Sequence, residues 1–309
     1  MESAAPPLLS VIVPTRNRPA QLAECLQSLA SLDYPRERFE VIVVQDGGAE
    51  SLVESIAASL RHRLDLKVVA QPHAGPASAR NAGAARARGE LLVFTDDDCR
   101  PIAGWLRAFA ARFAAAPTGA VGGRTVNALP GNVYSTASQL LIDYLYGYYN
   151  VDENRAVFFA SNNLAVPASR FHALGGFDRT FPAAAAEDRD LCDRWLHQGY
   201  AMSYAPDAVV CHAHPLALKA FWRQHFEYGR GAFAFHRARA RRGGDRIRVE
   251  PLRFYVDLLR YSFVGDRRGG AVTLAGLLAL SQLATVGGFA WAWLQSRASP
   301  SPATMTGSR

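Results

Sequence analysis

The sequence predicts an α/β fold: a mostly parallel sheet, an α+β half after it, and a helical segment at the C-terminal end. Three observations predict it. From Leu8 to Thr95 short β-branched runs alternate with helical patterns, each run is followed at once by polar residues, and near the end an apolar run extends for about two dozen residues.

The alternation reads LLSVIVP, PAQLAECLQSLASL, FEVIVVQ, SLVESIAASL, LKVVA, PASARNAGAARA and ELLVFT. Near-continuous apolar strands joined by helices form βαβ units, whose sheets are buried on both faces. Ligands of such sheets bind beyond the carboxyl ends of the strands. The residues there are Pro14-Thr15-Arg16-Asn17, Gln45-Asp46-Gly47-Gly48 and Thr95-Asp96-Asp97-Asp98. A nicotinamide-binding fold would carry Gly-x-Gly-x-x-Gly after its first strand, whereas this chain has Pro-Thr-Arg-Asn-Arg.

After Pro101 the pattern predicts a helix from about Gly104 to Ala115, a strand over Ala120–Asn127 and an aromatic helical stretch over Gln139–Tyr149. A buried strand over Val157–Val166, a helix over Glu187–Gln198, a strand ending at His212 and a basic helix over Leu216–Arg242 follow. Tyrosines 144, 146, 148 and 149 have two open roles, stacking on the ring of a ligand or packing in the core.

The chain has 309 residues, 49% of them apolar, enough for a large core and an appendage. Its net charge of +7 rests on arginine, since lysine occurs only at Lys67 and Lys219, and the densest cluster is Arg237 to Arg248. Cys25, Cys99, Cys192 and Cys211 lack the spacing of a zinc site or a disulfide framework, which predicts reduced thiols. The first residues lack the basic and apolar regions of a secretory signal, so the catalytic part is expected in the cytoplasm. The apolar run Ala271–Leu294, with Trp291 and Trp293 at one end and Arg267-Arg268 before it, predicts a helix that either spans or lies in a membrane.

The sharpest motif is Asp96-Asp97-Asp98 directly after the apolar run Leu91–Phe94. Adjacent carboxylates repel, and a divalent cation is an economical compensation; Mg²⁺ or Mn²⁺ accepts hard oxygen ligands completed by substrate phosphates. A solvated acidic turn is the alternative. Asp46 before two glycines also fits a turn, Thr15 and Asn17 fit helix caps before Pro19, and Glu187-Asp188 fits the start of a helix. His212 and His214 suit Mn²⁺ but also suit ordinary surface hydrogen bonding.

The ordered set SVIVPTRNR, VIVVQDGG, ARNAGAARARGELLVFTDDDC, NNLAV, GGFD and EDRDLCDR, from about Leu8 to His214, resembles the family 2 glycosyltransferases of the GT-A fold. The resemblance implies an inverting enzyme that moves one sugar from a nucleotide-diphosphate donor to an acceptor hydroxyl. It places Asp46 on the nucleobase, with Pro14, Thr15 and Asn17 lining the nucleotide pocket and Arg80 and Asn81 closing over the donor. Asp96 would face the ribose with Asp97 beside it, Asp98 would hold the metal with His212 as a further ligand, and Asp188 would be the base, supported by Glu187. The stretch Phe221–Gly231 lacks the Gln-x-x-Arg-Trp of the processive members, which favours single-sugar transfer.

The organisation this implies is a disordered 1–7, a nucleotide-sugar-binding half over 8–100 and an acceptor and catalytic half over 101–215. A basic, membrane-proximal helical region over 216–270, the membrane helix at 271–294 and a disordered tail at 295–309 complete it. The expected setting is the cytoplasmic face of the cell membrane, with a glycan or lipid-linked acceptor and no nucleic acid. Two rivals are weighed against this. A sugar-phosphate nucleotidylyltransferase would need a Gly-rich loop with Arg and Lys after the first strand, which is absent; a membrane-tethered nucleotide-binding protein without turnover would have no need of both Asp98 and Asp188.

Overall fold

The computed structural model describes residues 5–48, 50–181, 185–243, 249–264 and 270–298. The expectations of disorder at 1–4 and 299–309, and the arginines at 246, 248, 267 and 268, lie outside the described residues. The chain divides into two compact units, Met1–Thr180 with Glu187–Leu216, and Phe181–Ala186 with Ala217–Arg309.

The first unit is built on an eight-stranded sheet. Its strands are β1 (Leu9–Thr15), β2 (Phe39–Asp46), β3 (Leu66–Gln71), β4 (Leu91–Thr95), β5 (Cys99–Pro101), β6 (Ala120–Asn127), β7 (Asn163–Pro167) and β8 (Met202–His212). The order across the sheet is β3-β2-β1-β4-β7-β6-β8-β5. Strands β3, β2, β1 and β4 run parallel, β7 opposes both β4 and β6, β8 runs parallel to β6, and β5 opposes β8. The helices of this unit are α1 (Pro19–Leu29), α2 (Glu50–Leu60), α3 (Pro76–Ala84), α4 (Trp105–Ala115), α5 (Val133–Tyr149), α6 (Ala168–Ala173) and α7 (Glu187–His197).

Burial follows from the sequence pattern. Every residue of β2 and β4 is buried, as expected for strands covered on both faces by crossover helices. Leu22, Cys25, Leu26 and Leu29 of α1 close one side with Val11 and Val13, while Phe94, Phe171, Phe177 and Trp195 build a second cluster on the other. Because β2, β1 and β4 are parallel neighbours, their carboxyl ends and the polar residues beyond them lie along one edge.

One expected strand is shorter than the pattern suggested. The ladder begins at Asn163 instead of Val157, because the backbone of the apolar run before it is satisfied otherwise. The Asn150 side chain accepts from the N–H groups of Val157 and Phe158 and donates to the Phe158 carbonyl. Asn163 then ties three strands together, donating to the carbonyls of Ala208 and Arg124 at the β6 bulge and accepting from the Trp105 indole.

A buried carboxylate fastens the parallel half. Glu40 of β2 is fully buried and accepts from Ser10 Oγ and Lys67 Nζ, both at 2.7 Å, and from the backbone and side chain of Arg88. Burial alone would raise its pKa, but the hydrogen bonds from Lys67, Ser10 and Arg88 outweigh it and hold the pKa at about 2. Glu40→Gln is expected to destabilise the fold by about 2–3 kcal/mol in urea denaturation at neutral pH. The folded pKa is depressed, so this stabilisation is present above the ordinary carboxylate range and is lost as pH falls toward 2; the gap between wild type and variant narrows accordingly.

The second unit is helical, with α8 (Leu218–Arg241), α9 (Leu252–Tyr261) and α10 (Ala271–Ala298). Helix α9 lies within the region 216–270 expected to be helical, although the sequence pattern delimits no separate helix there. Helix α10 runs four residues past the expected end and is, by length and composition, able to cross a membrane.

Candidate active site

Strand β4 ends at Thr95 and delivers the three aspartates to the edge where β1 and β2 also end. Their partners differ, apart from Arg18, which Asp97 and Asp98 share. Asp97 is buried, accepts from Thr15 Oγ1 at 2.7 Å and pairs with Arg18 at 3.3 Å. Burial pushes its pKa up to about 6 against the Thr15 and Arg18 contacts, and the neighbouring charges of Asp98 and Asp96 add to the rise.

Asp98 meets two histidines, and a strand too short to read from the sequence brings them there. The three residues of β5 pair antiparallel with β8 so that Cys99 sits opposite His212, and the Ala213 N–H donates to the Asp98 carbonyl at 2.8 Å. On the extended chain His212 and His214 lie two residues apart on the same side, their rings stacked 5.3 Å apart. His212 Nε2 is 3.2 Å and His214 Nδ1 is 3.3 Å from the Asp98 carboxylate, and the three ligand atoms all lie within 4.8 Å of one another. Burial would raise the Asp98 pKa, yet hydrogen bonds from His212 and His214 and the Arg18 charge hold it well below the usual carboxylate range. Burial works against a charged His212, but Asp98 wins and raises its pKa. One carboxylate and two imidazoles converging in this way fit a divalent cation, and the nitrogen donors suit Mn²⁺ better than Mg²⁺.

Arg18 is absent from the sequence expectations. Its guanidinium bridges Asp97 and Asp98 at 3.3 and 3.0 Å while its side chain stays about half exposed. It holds the carboxylate that a cation would need. Arg18→Met is therefore expected to tighten Mn²⁺ binding severalfold in the absence of nucleotide, read by calorimetric titration. Unchanged affinity would show that Arg18 does not compete for Asp98.

At the end of β2 the Asp46 carboxylate is buried and engaged by the chain itself. It accepts from the backbone N–H groups of Ala74 and Gly75 and from Gln71 Nε2, and it contacts His73 Nδ1 at 2.7 Å. Burial is overcome by these contacts, which lower its pKa. Beside it a cavity of about 250 Å³ is lined by Gln45, Gly47, Gly48, Ala70, Gln71 and Pro72. Asn17 adopts a left-handed backbone, φ 55°, and its Oδ1 stands 2.2 Å from where a Cβ on Gly48 would be. With φ of 98° as well, that position requires glycine. Thr15 is buried and Pro14 half-buried at the same strand end.

Arg80 is also buried, with its guanidinium between carboxylates rather than open to solvent. It donates to Asp96 at 2.7 Å and to Glu187 at 3.0 Å, and lies over the Phe177 ring at 5.6 Å. Asn81 clamps Phe177, accepting from its N–H and donating to its carbonyl. Glu187 and Asp188 open α7 just after Ala186, whose φ of 72° is a strained conformation for a residue with a Cβ. Burial and the Asp188 charge push the Glu187 pKa up to about 7 despite Arg80. Burial likewise raises Asp188, whose carboxylate accepts from the Arg189 N–H at 2.7 Å.

The structure thus brings Asp96, Asp97, Asp98, Arg80, Glu187, Asp188, His212 and His214 into one charged cluster, and adds Arg18 to it. Asp46 and Asn17 belong to the adjoining loop cluster. Of the tyrosines, Tyr146 is buried and its hydroxyl accepts from the Ala160 N–H at 2.8 Å, whereas Tyr148 is exposed with its ring stacked 6.2 Å from Tyr144. All four cysteines are free.

Comparison with known proteins gives a consistent result. Residues 10–171 match the family model for glycosyl transferase family 2, and residues 91–298 match that of glycosyl transferase family group 2. The pre-mycofactocin glycosyltransferase of Mycobacterium tuberculosis is 31% identical over 229 residues, covering 72% of this chain and 46% of that protein. The chain therefore spans about half the length of this relative. Glycosyltransferase AglE of Haloferax volcanii is 26% identical over 228 residues, with 73% of each chain covered. Among solved structures, the mannosyltransferase PcManGT of Pyrobaculum calidifontis, in complex with GDP-Man and Mn²⁺, superposes with a TM-score of 0.59 at 23% identity. The match covers 96% of this chain and 81% of that one, and the shared architecture is the GT-A fold.

Proposed function

The chain belongs to glycosyl transferase family 2, and from that premise we propose that it transfers a single sugar from a nucleotide-diphosphate donor to an acceptor hydroxyl with inversion. The observation that carries this reading is the single guanidinium of Arg80, buried between Asp96 of the aspartate turn and Glu187 of the α7 dyad. It joins a donor-side carboxylate to the acid–base pair.

In this reading the nucleotide occupies the cavity beside Asp46, and Asp96 faces the ribose. Asp98, His212 and His214 would hold a divalent cation, Mn²⁺ in preference to Mg²⁺, and the chemistry it would supply is positive charge for a departing diphosphate. Asp188 accepts the proton of the acceptor hydroxyl as its oxygen attacks the anomeric carbon. The Arg80 guanidinium, held by Glu187, places a positive charge near Asp188 that works against the effect of burial. A raised carboxylate pKa suits a base working near neutrality. One base on the acceptor side implies direct displacement, hence inversion.

The acceptor we propose is a glycan or lipid-linked precursor of the cell envelope, met at the cytoplasmic face of the membrane where nucleotide sugars are available. The apolar helix α10 and the basic α8 support membrane attachment. Incubation with a panel of nucleotide-diphosphate sugars and a lipid-linked acceptor tests the reaction: diphosphate release coupled to a product of inverted anomeric configuration, by proton NMR, is expected. A product of retained configuration would contradict the single-displacement mechanism.

A further inference from the structure

Charge is divided unevenly along the chain. Residues 217–309 hold fifteen basic side chains against five acidic ones, while the remainder is slightly acidic. Within that basic unit α10 carries no charge before Arg297, yet its burial is two-sided. Leu274, Leu278, Ser281, Ala284 and Gly288 are buried along one face. Val272, Leu283, Val286, Trp291 and Leu294 form an exposed stripe on the other, Leu283 being 64% and Val286 66% exposed.

The buried face meets α8 near the midpoint of α10, and the two backbones touch. A Cβ on Gly229 would stand 1.9 Å from the Thr285 carbonyl oxygen, and one on Gly288 would stand 1.9 Å from that of Phe226. Thr285 Oγ1 donates to the His225 carbonyl, and the Phe233 and Phe289 rings pack at 5.3 Å. This crossing is a tight, specific contact that ties the middle of α10 to α8.

Helix α8 is unsuited to hydrocarbon. Arg223, Glu227 and Arg230 all lie within two turns of the crossing, Arg230 paired with Glu227 at 2.9 Å. Were α10 to run across a bilayer, its midpoint would sit at the hydrocarbon centre and carry these charges with it. Each charge there disfavours insertion by about a hundredfold. An orientation in the plane of the surface removes that conflict, because α8 lies on the side of α10 away from the exposed stripe. Trp293, with the Arg297 guanidinium 4.0 Å over its ring, fits the headgroup level.

We propose that α10 lies in the plane of an anionic lipid surface, its Val272–Leu294 stripe sunk at the headgroup boundary and the basic α8 on the water side. This deepens the membrane attachment proposed above and specifies its geometry. An in-plane apolar helix flanked by arginine combines buried apolar area with attraction to anionic headgroups.

The test places nitroxide labels one at a time, through Val272→Cys, Leu283→Cys and Leu294→Cys in a Cys211→Ser background of the full chain. Depth is measured by power-saturation EPR on phosphatidylglycerol/phosphatidylcholine vesicles. Three equal, shallow depths are expected, together with about tenfold weaker vesicle binding for Leu283→Glu and for vesicles lacking phosphatidylglycerol. A deep label at 283 with 272 and 294 near opposite faces would overturn the proposal in favour of a span. Absence of vesicle binding by a chain folded by circular dichroism would overturn it as well. Diphosphate release with a soluble acceptor, measured on the same samples, reports separately on the transferase reading: its loss alongside shallow labels would sink that reading and leave the surface geometry standing.

Discussion

Asp188→Asn is expected to lower kcat by about a thousandfold or more while donor affinity stays within about twofold of wild type. The amide keeps the shape of the carboxylate but cannot take the acceptor proton. In the proposed reading the donor is held by the β1, β2 and β4 ends and by Asp96 to Asp98, none of which is replaced in this variant. The pH profile supplies a second readout. Burial raises the Asp188 pKa above the ordinary carboxylate range, so wild-type kcat should climb as pH rises through that raised pKa and the base loses its proton. The variant should lose this limb. Matching losses in kcat and in donor affinity would place Asp188 in the nucleotide site instead.

The second large effect is expected at Asp98. It is the point where His212, His214 and Arg18 converge, and the only carboxylate in the three-residue ligand group found among the described residues. Asp98→Ala removes the oxygen ligand and leaves two imidazoles beside Arg18. Mn²⁺ affinity should fall at least a hundredfold, and kcat with it, since a bound cation is worth several kcal/mol to a departing diphosphate. His212→Ala and His214→Ala should each cost less, because either leaves the carboxylate and one imidazole in place. Titration of Mn²⁺ into the three variants checks the ranking; an Asp98→Ala affinity equal to wild type would remove the cation from this site.

Much of the catalytic unit was legible because its strands are buried on both faces. Short continuous apolar runs such as those of β2 and β4, each bounded by polar residues, mark strands covered on both faces, and the polar residues ending them mark the candidate edge. The site was less legible where its parts are brought together by tertiary pairing. Nothing in the triplet Cys99-Arg100-Pro101 announces a strand, yet its register against β8 is what sets both histidines on Asp98. Nothing in the sequence around Arg18 marks the two carboxylates it bridges, which lie 79 and 80 residues away. His73 and Gln71 were missed for the same reason, since their common partner Asp46 lies on the neighbouring strand. Asn150 shows the converse case, where one side chain supplies the hydrogen bonds that an apolar run would otherwise seek in a ladder.

The existence of a metal-dependent nucleotide site at the edge of the sheet is tested most directly by thermal unfolding of the full chain with UDP, GDP, CDP and dTDP, each with and without Mn²⁺. One diphosphate should raise Tm by about 5 °C or more at saturating concentration, only when Mn²⁺ is present and not in Asp98→Ala. A folded chain whose Tm no diphosphate moves, with or without the metal, would contradict a donor site built on Asp96 to Asp98.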